Sequence, residues 1–192
     1  MANIQIAAAT PDRWDDIVAT FGRRGNDPGW CWCRRFLDPR TNGTDPSDNR
    51  EALRQEIITA RSPPGLVAYR DGAPVGWTRV NPRSALPGVL GNRALRRVLP
   101  EDPGAWWVTC FAVDQRHRNS GVSTALLEAA VDHARGRGAT AVEGHPVDTD
   151  ALTAQRVSGS ALFTGTMRAF VAVGFSEIGR TYPSRPVMRL EF

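Results

Sequence analysis

One stretch constrains this chain more than any other: an apolar run, a short polar turn and an amphipathic helix, in immediate succession. "AWWVTCFAV" (Ala105–Val113) has the β-branched and aromatic content of a buried strand. "DQRHRNSG" then breaks the pattern. "VSTALLEAAVDHARGRG" follows with Val122, Leu126, Leu127, Ala130, Val131 and Ala134 on one helical face, and Gly136 and Gly138 end it. A helix start leaves free N–H donors and the positive end of a dipole, which together favour an anion. Gly121 carries no Cβ, so a ligand can approach its backbone closely. Arg116 and Arg118 add charge, and Ser123 and Thr124 add hydroxyls in the first turn. This is a physical recipe for a pyrophosphate cradle.

The flanking sequence reads as alternating elements. Ile4 and Ile6 mark a short strand. Thr10 and Pro11 open a helix over Pro11–Arg23, with Trp14, Ile17, Val18 and Phe21 at helical spacing. The Gly- and Pro-rich run from Gly25 to Asn49 predicts a long loop with an aromatic centre at Trp30, Trp32 and Phe36. A second helix begins near Ser47 or Asp48. "LVAYRDGAPVGWTRV" predicts a hairpin turning at Asp71-Gly72. A short helix is expected at Arg93–Val98, a strand at "ATAVEGHPV", a loop at Asp148–Ser160, a helix at Thr166–Val173, and two strands at "FSEIGRTY" and "PVMRLEF". The order β-α-α-β-β-β-α-β-α-β-β predicts one α/β (α+β) domain over residues 1–192, with a single mixed, largely antiparallel sheet flanked by helices.

Composition removes several alternatives. The net charge is +4, every one of the 24 basic residues is Arg, and these are scattered rather than gathered into a stripe. No nucleic-acid partner is therefore expected, despite a pI of about 9.6. No apolar run approaches the ~20 residues of a membrane span, and no secretory signal is read at the N-terminus, so a cytoplasmic protein without a membrane partner is expected. Three cysteines, Cys31, Cys33 and Cys110, form an odd set that argues against a disulfide framework. Cys31 and Cys33 lack the further Cys or His that would complete a metal site, so no metal is expected. Strict alternation along Ala105–Val113 puts Trp106, Val108, Cys110 and Ala112 on one apolar face, with Cys110 as a small buried hydrophobe.

Arg118-Asn119-Ser120-Gly121-Val122-Ser123 resembles the R/Q-x-x-G-x-G/A motif of the GCN5-related N-acetyltransferase (GNAT) family. "MRAFVAVGF" resembles that family's last helix with its Gly-Phe ending. The resemblance covers nearly the whole chain and is strongest from Trp106 to Phe175. It implies acyl transfer from acetyl-CoA to an amine. It implies that Arg118, Asn119, Ser120, Gly121, Val122, Ser123 and Thr124 surround the CoA pyrophosphate. It further implies that the backbone of Phe111, Ala112 and Val113 pairs with the pantetheine arm, where an amide would polarise the thioester carbonyl. The loop carrying Trp30, Trp32 and Arg34 would then contribute to the acceptor site, although those aromatics serve equally as a core plug. Two positions depart from the pattern. Ser123 stands where Gly or Ala is usual. Phe170 stands where many relatives carry the Tyr that protonates the leaving thiolate.

An alkyl amine is mostly protonated at neutral pH, so a base is useful. Glu143 and His145, at the end of the strand beside the cradle, are the candidates. The expected activity is direct acetyl transfer to a primary amine of a small molecule in a ternary complex. The alternatives are a peptide or protein acceptor, or a catalytically silent acyl-CoA sensor. A homodimer is the candidate assembly.

Overall fold

The computed structural model describes residues 3–27, 30–37, 48–152 and 162–192. The expected loop stretches at 38–47 and 153–160 lie outside the described residues. Among the described residues, seven strands form one sheet in the order β1-β2-β3-β4-β5-β7-β6. They are β1 Ile4–Ala8, β2 Gly65–Arg70, β3 Ala73–Pro82, β4 Ala105–Val113, β5 Ala141–Gly144, β6 Ser176–Tyr182 and β7 Arg185–Glu191. Only β4 and β5 run parallel; the other neighbours are antiparallel. The helices are α1 Trp14–Thr20, α2 Asn49–Thr59, α3 Pro87–Leu90, α4 Val122–Arg135 and α5 Met167–Val173.

Local chemistry accounts for most of these boundaries. Asp48 caps α2 by accepting from the Glu51 amide at 2.8 Å. Thr166 caps α5, and Gly174 stops it at a left-handed φ of 98°. The first helix is shorter than expected. A 3₁₀ turn at Pro11–Arg13 precedes α1, and a second at Gly22–Asn26 follows it. Gly22, at φ 57°, interrupts the helical pattern that Trp14, Ile17 and Phe21 begin. The short helix expected at Arg93–Val98 is a 3₁₀ turn, Leu95–Arg97.

Strict alternation fails along β4. Val108 opposes Val80 and Cys110 opposes Arg79, so Thr109 is an extra residue with no opposite number on β3. Such a bulge swaps the faces of everything beyond it. Trp106 and Val108 join the core under α4 and α5, and Phe111 and Val113 pack against that same core. Cys110 and Ala112 turn to the opposite face, with Ile17, Trp32, Leu53 and Trp77. The expectation that Trp106, Val108, Cys110 and Ala112 share one face is thereby corrected.

Cys110 is also not a plain hydrophobe: it is disulfide-bonded to Cys33, with 6.2 Å between their Cα atoms. The bond ties the stretch after α1 to the central strand across 77 residues, and only Cys31 keeps a free thiol. An odd cysteine count therefore did not preclude a disulfide. Cross-linking a loop this long removes denatured-state entropy, an effect of about 2–4 kcal/mol. Cys110→Ala should lower the unfolding free energy by about that amount in urea titrations. Reductant should lower the wild type to the same level and leave the variant unchanged.

Candidate active site

Pairing between β4 and β5 stops at Val108 opposite Gly144. Beyond that point the strands part and the chain from Phe163 to Met167 bridges them. On one bank the Phe111 amide donates to the Phe163 carbonyl at 2.6 Å. On the other, the Val147 amide donates to Gly165, and the Met167 amide donates back to the Val147 carbonyl. Phe170 sits in the crotch of this fork. It is fully buried, with its ring edge against Phe111 and Phe175. A Cβ on Gly144 would lie 2.4 Å from that ring, so only glycine fits there.

Val113 ends β4 on the same strand edge. The amides of Phe111 and Val113 lie two residues apart, so both point away from β3. The turn then leads to Gly121, exposed and at φ 86°, with open space where a Cβ would stand. Gly121 caps α4 with no side chain, and its carbonyl accepts from Ala125. The amides of Val122, Ser123 and Thr124 thus have no partner within the helix. Arg118 and Asn119 are exposed beside them, Asn119 at a left-handed φ of 58°. The Ser120 hydroxyl donates to the His117 carbonyl, and Arg70 donates to the Ser120 carbonyl at 3.1 Å, bracing the turn. Of the two arginines expected to add charge, Arg116 is engaged by Asp114, whose carboxyl its hydrogen bonds hold down at about 2. The structure thus brings together Phe111, Ala112, Val113 and residues 118–124 along one edge, ending at a donor-rich helix start.

The expected bases are differently placed. Glu143 is completely buried and points away from the fork. Arg83 binds it at 2.8 and 3.0 Å and Arg189 at 2.5 Å, and Arg189 also bonds Asp102 at 2.6 Å. Burial pushes its carboxyl up, and the two guanidiniums oppose that shift and hold it as a carboxylate. It is the anion of a structural ion cluster, not a base open to an amine. His145 does lie at the fork. A guanidinium only donates, so the Arg185 contact to Nδ1 at 3.4 Å assigns the proton to Nε2, which meets the Thr181 hydroxyl at 2.7 Å. Burial, aided by Arg185, holds His145 down at about 4. It is neutral at pH 7 and a weak base.

The expected acceptor residues also separate. Trp32 is fully buried, stacked on Trp14 and tilted against Phe21, with its Nε1 donating to the Asp27 carbonyl at 2.9 Å. It is the core plug. Arg34 faces Glu56 at 3.7 Å, and the same carboxylate holds the buried Arg79 at 2.7 and 2.8 Å. Trp30 is the exposed aromatic, with the Arg24 guanidinium 4.3 Å above its ring. Sequence reading passed over Phe163, Thr164, Thr181 and Arg185, because nothing in their local pattern marks them as neighbours of β4.

The sequence matches the model of the Acetyltransferase (GNAT) family over residues 30–157. No curated protein matches it. Solved structures share the fold at low identity. The GNAT domain of S. lividans PAT is 13% identical with a TM-score of 0.58, covering 98% of this chain and 90% of that one. A GCN5-related N-acetyltransferase from Kribbella flavida is 19% identical with a TM-score of 0.56, covering 98% of each chain. The diaminobutyrate acetyltransferase of Paenibacillus lautus, solved with L-2,4-diaminobutyric acid and coenzyme A, is 14% identical with a TM-score of 0.52. The match covers 100% of this chain and 96% of that one.

The state of His145 predicts an acid-sensitive fold. Its folded value of about 4 lies below the ordinary 6.5, so it favours the folded state above pH 6.5, and that contribution is lost as pH falls toward 4. His133, also held at about 4 by burial, acts in the same direction. His145→Gln should lessen the stability lost between pH 7 and pH 4.5 by about 1–2 kcal/mol in urea titrations. Equal losses in variant and wild type would mean that His145 titrates normally in the folded protein.

Proposed function

The chain belongs to the acetyltransferase (GNAT) family and is an acetyl-CoA-dependent N-acetyltransferase, and from that premise we propose that it acetylates a primary amine of a small molecule by direct transfer. The observation that carries this reading is the continuous edge from Phe111 through Val113 to the bare amides at Val122–Thr124. An extended pantetheine arm suits that edge, and a pyrophosphate suits the helix start. Open space at Gly121 supports the same placement. The acceptor enters from the side carrying α1, the following loop and the β6–β7 hairpin. The Paenibacillus lautus neighbour, which holds a small diamine beside coenzyme A, supports a small-molecule acceptor.

The residues bear on mechanism in three ways. The Val113 amide is available to acetyl-CoA, whereas the Phe111 amide is reached only by displacing the Phe163 carbonyl. Phe170 supplies no proton, and neither tyrosine replaces one there: Tyr69 donates to Asp16 at 2.6 Å, and Tyr182 lies exposed on the hairpin. The CoA thiolate therefore departs without a tyrosine acid, which its moderate basicity permits. With Glu143 held in its ion cluster and His145 weakly basic, the amine loses its proton to water. Cys110 carries no acyl group while bonded to Cys33. Atoms balance in one step: the amine nitrogen bonds the acetyl carbon, the C–S bond breaks, and one proton leaves.

A cytoplasmic location belongs to the same proposal. Among the described residues no helix is long and apolar enough to cross a membrane. The Cys33–Cys110 bond weighs against it, since disulfides are uncommon in reducing compartments. Alkylation of the cysteines in intact cells tests it directly, and a protected pair would point to an oxidising compartment.

Gly121→Val places a branched side chain on a left-handed backbone beside the bare amides. Acetyl-CoA at a hundredfold excess over Kd should stabilise the wild type by about 2.7 kcal/mol, and the variant should lose most of that gain. An amine panel read by free-thiol release should find an acceptor whose rate climbs with pH as the amine deprotonates. Double-reciprocal plots should intersect. Parallel lines would require an acyl-enzyme, and binding without release by any amine would favour a silent sensor.

A further inference from the structure

Arg185 opens β7 beside the fork. Its two terminal nitrogens reach both banks: Nη1 donates to the Thr164 hydroxyl at 3.2 Å, and Nη2 approaches His145 Nδ1 at 3.4 Å. Thr164 follows Phe163, whose carbonyl holds the Phe111 amide. His145 follows Gly144, the last residue paired with β4. Arg185 thus stands where the two strands part, next to the edge assigned to the thioester.

The guanidinium is half-buried, and among the described residues no carboxylate compensates it. An acid anchored to the residue before Arg185 shows the contrast. The Asp148 amide bonds the Ser184 carbonyl, next to Arg185, yet the Asp148 carboxylate is taken by Arg180 at 2.7 Å. Glu56 is taken by Arg79 and Arg34. A second cation stands close by: Arg35, exposed, has its guanidinium 5.5 Å from the centre of the Phe163 ring. Burial and the charge of Arg35 both push the Arg185 guanidinium down from its ordinary range. A half-buried guanidinium with a second, exposed one beside it, and no acid against it among the described residues, raises the free energy of the empty protein. An anion relieves that cost, and a planar carboxylate matches the guanidinium fork.

We infer that Arg185, assisted by Arg35, binds a carboxylate on the acceptor, so that the acceptors of this enzyme are amines that also carry an acid group. The inference rests on the acetyl-transfer reading above and names the acceptor class for that site. Thr164 and the neutral His145 hold the guanidinium in place. The acceptor's carboxylate lies on Arg185 while its amine is directed to the acyl carbon beside Val113. A phosphate of CoA is the other anion that could reach an arginine here, and it is distinguished by which ligand responds to substitution.

The experiment compares matched amines, such as β-alanine with β-alaninamide and glycine with glycinamide, under saturating acetyl-CoA. Wild-type kcat/KM should favour the acid by about tenfold or more, the scale of a charge-assisted pair. Arg185→Met should abolish that preference, chiefly through KM, and leave the acetyl-CoA thermal shift unchanged. Arg35→Met should reduce the preference partway. Equal use of acid and amide by the wild type would overturn the inference. So would an Arg185→Met variant that weakens acetyl-CoA while keeping the preference, since the anion would then be a CoA phosphate. If no amine is acetylated although acetyl-CoA binds, the acceptor reading fails by itself, and binding decides the inference. N-acetyl-β-alanine and its amide are then titrated against the CoA-bound protein. Tighter binding of the acid that disappears in Arg185→Met supports the subsite, and indistinguishable binding removes it. If Arg185→Met does not fold, the wild-type ratio and the Arg35→Met variant decide.

Discussion

Four residue pairs hold β4 parallel to β5, and then the pairing ends. A strand that loses its neighbour keeps its outward amides and carbonyls, and each needs a partner. Here the Phe163–Met167 chain satisfies some of them, and the edge running on to Val113 is left open. The Thr109 bulge acts at the same place. By swapping faces it sends Phe111 and Val113 into the core beneath α4, which fixes the direction of the edge. It also sends Cys110 to the opposite face, where the disulfide holds it.

The closed end of the fork is held by charge. Glu143, Arg83, Arg189 and Asp102 form a cluster in which the buried carboxylate meets two guanidiniums and Arg83 also bonds the Pro100 and Asp102 carbonyls. Desolvating such groups costs several kcal/mol each, so the cluster is better understood as specifying geometry than as a source of stability. It locks the segment before β4 to β5 and β7. Arg185, a few residues earlier on β7, has no such acid among the described residues. Two arginines on one strand thus differ: Arg189 is held by carboxylates, and Arg185 by the Thr164 hydroxyl and the His145 ring.

The face opposite α4 is built from aromatics. Trp32, with positive φ, packs into Trp14, Phe21 and Trp77, and the adjacent Cys33 bonds the central strand. Burial of Trp32 and the cross-link together fix the stretch that carries Arg35 to the Phe163 ring. In the stretch expected to form an acceptor wall, Trp32 is part of the core, and Arg35 is the exposed charge beside it.

Much of this was legible from local pattern. β4 begins and ends at the residues expected, α4 and α5 lie on their apolar stripes, the Asp71-Gly72 hairpin forms, and the turn before α4 presents a bare glycine. Each of these follows from periodicity, propensity or a backbone conformation, all properties of neighbours in the chain. What only the tertiary structure decided depends on residues far apart in sequence: the bulge at Thr109, which needs β3 opposite; the Cys33–Cys110 bond across 77 residues; and the burial of Glu143 between Arg83 and Arg189. The lack of a carboxylate against Arg185 among the described residues belongs with these, because pairing is decided by which distant groups reach it. Side-chain chemistry is written in the sequence, but protonation, pairing and exposure are set by neighbours that only folding supplies.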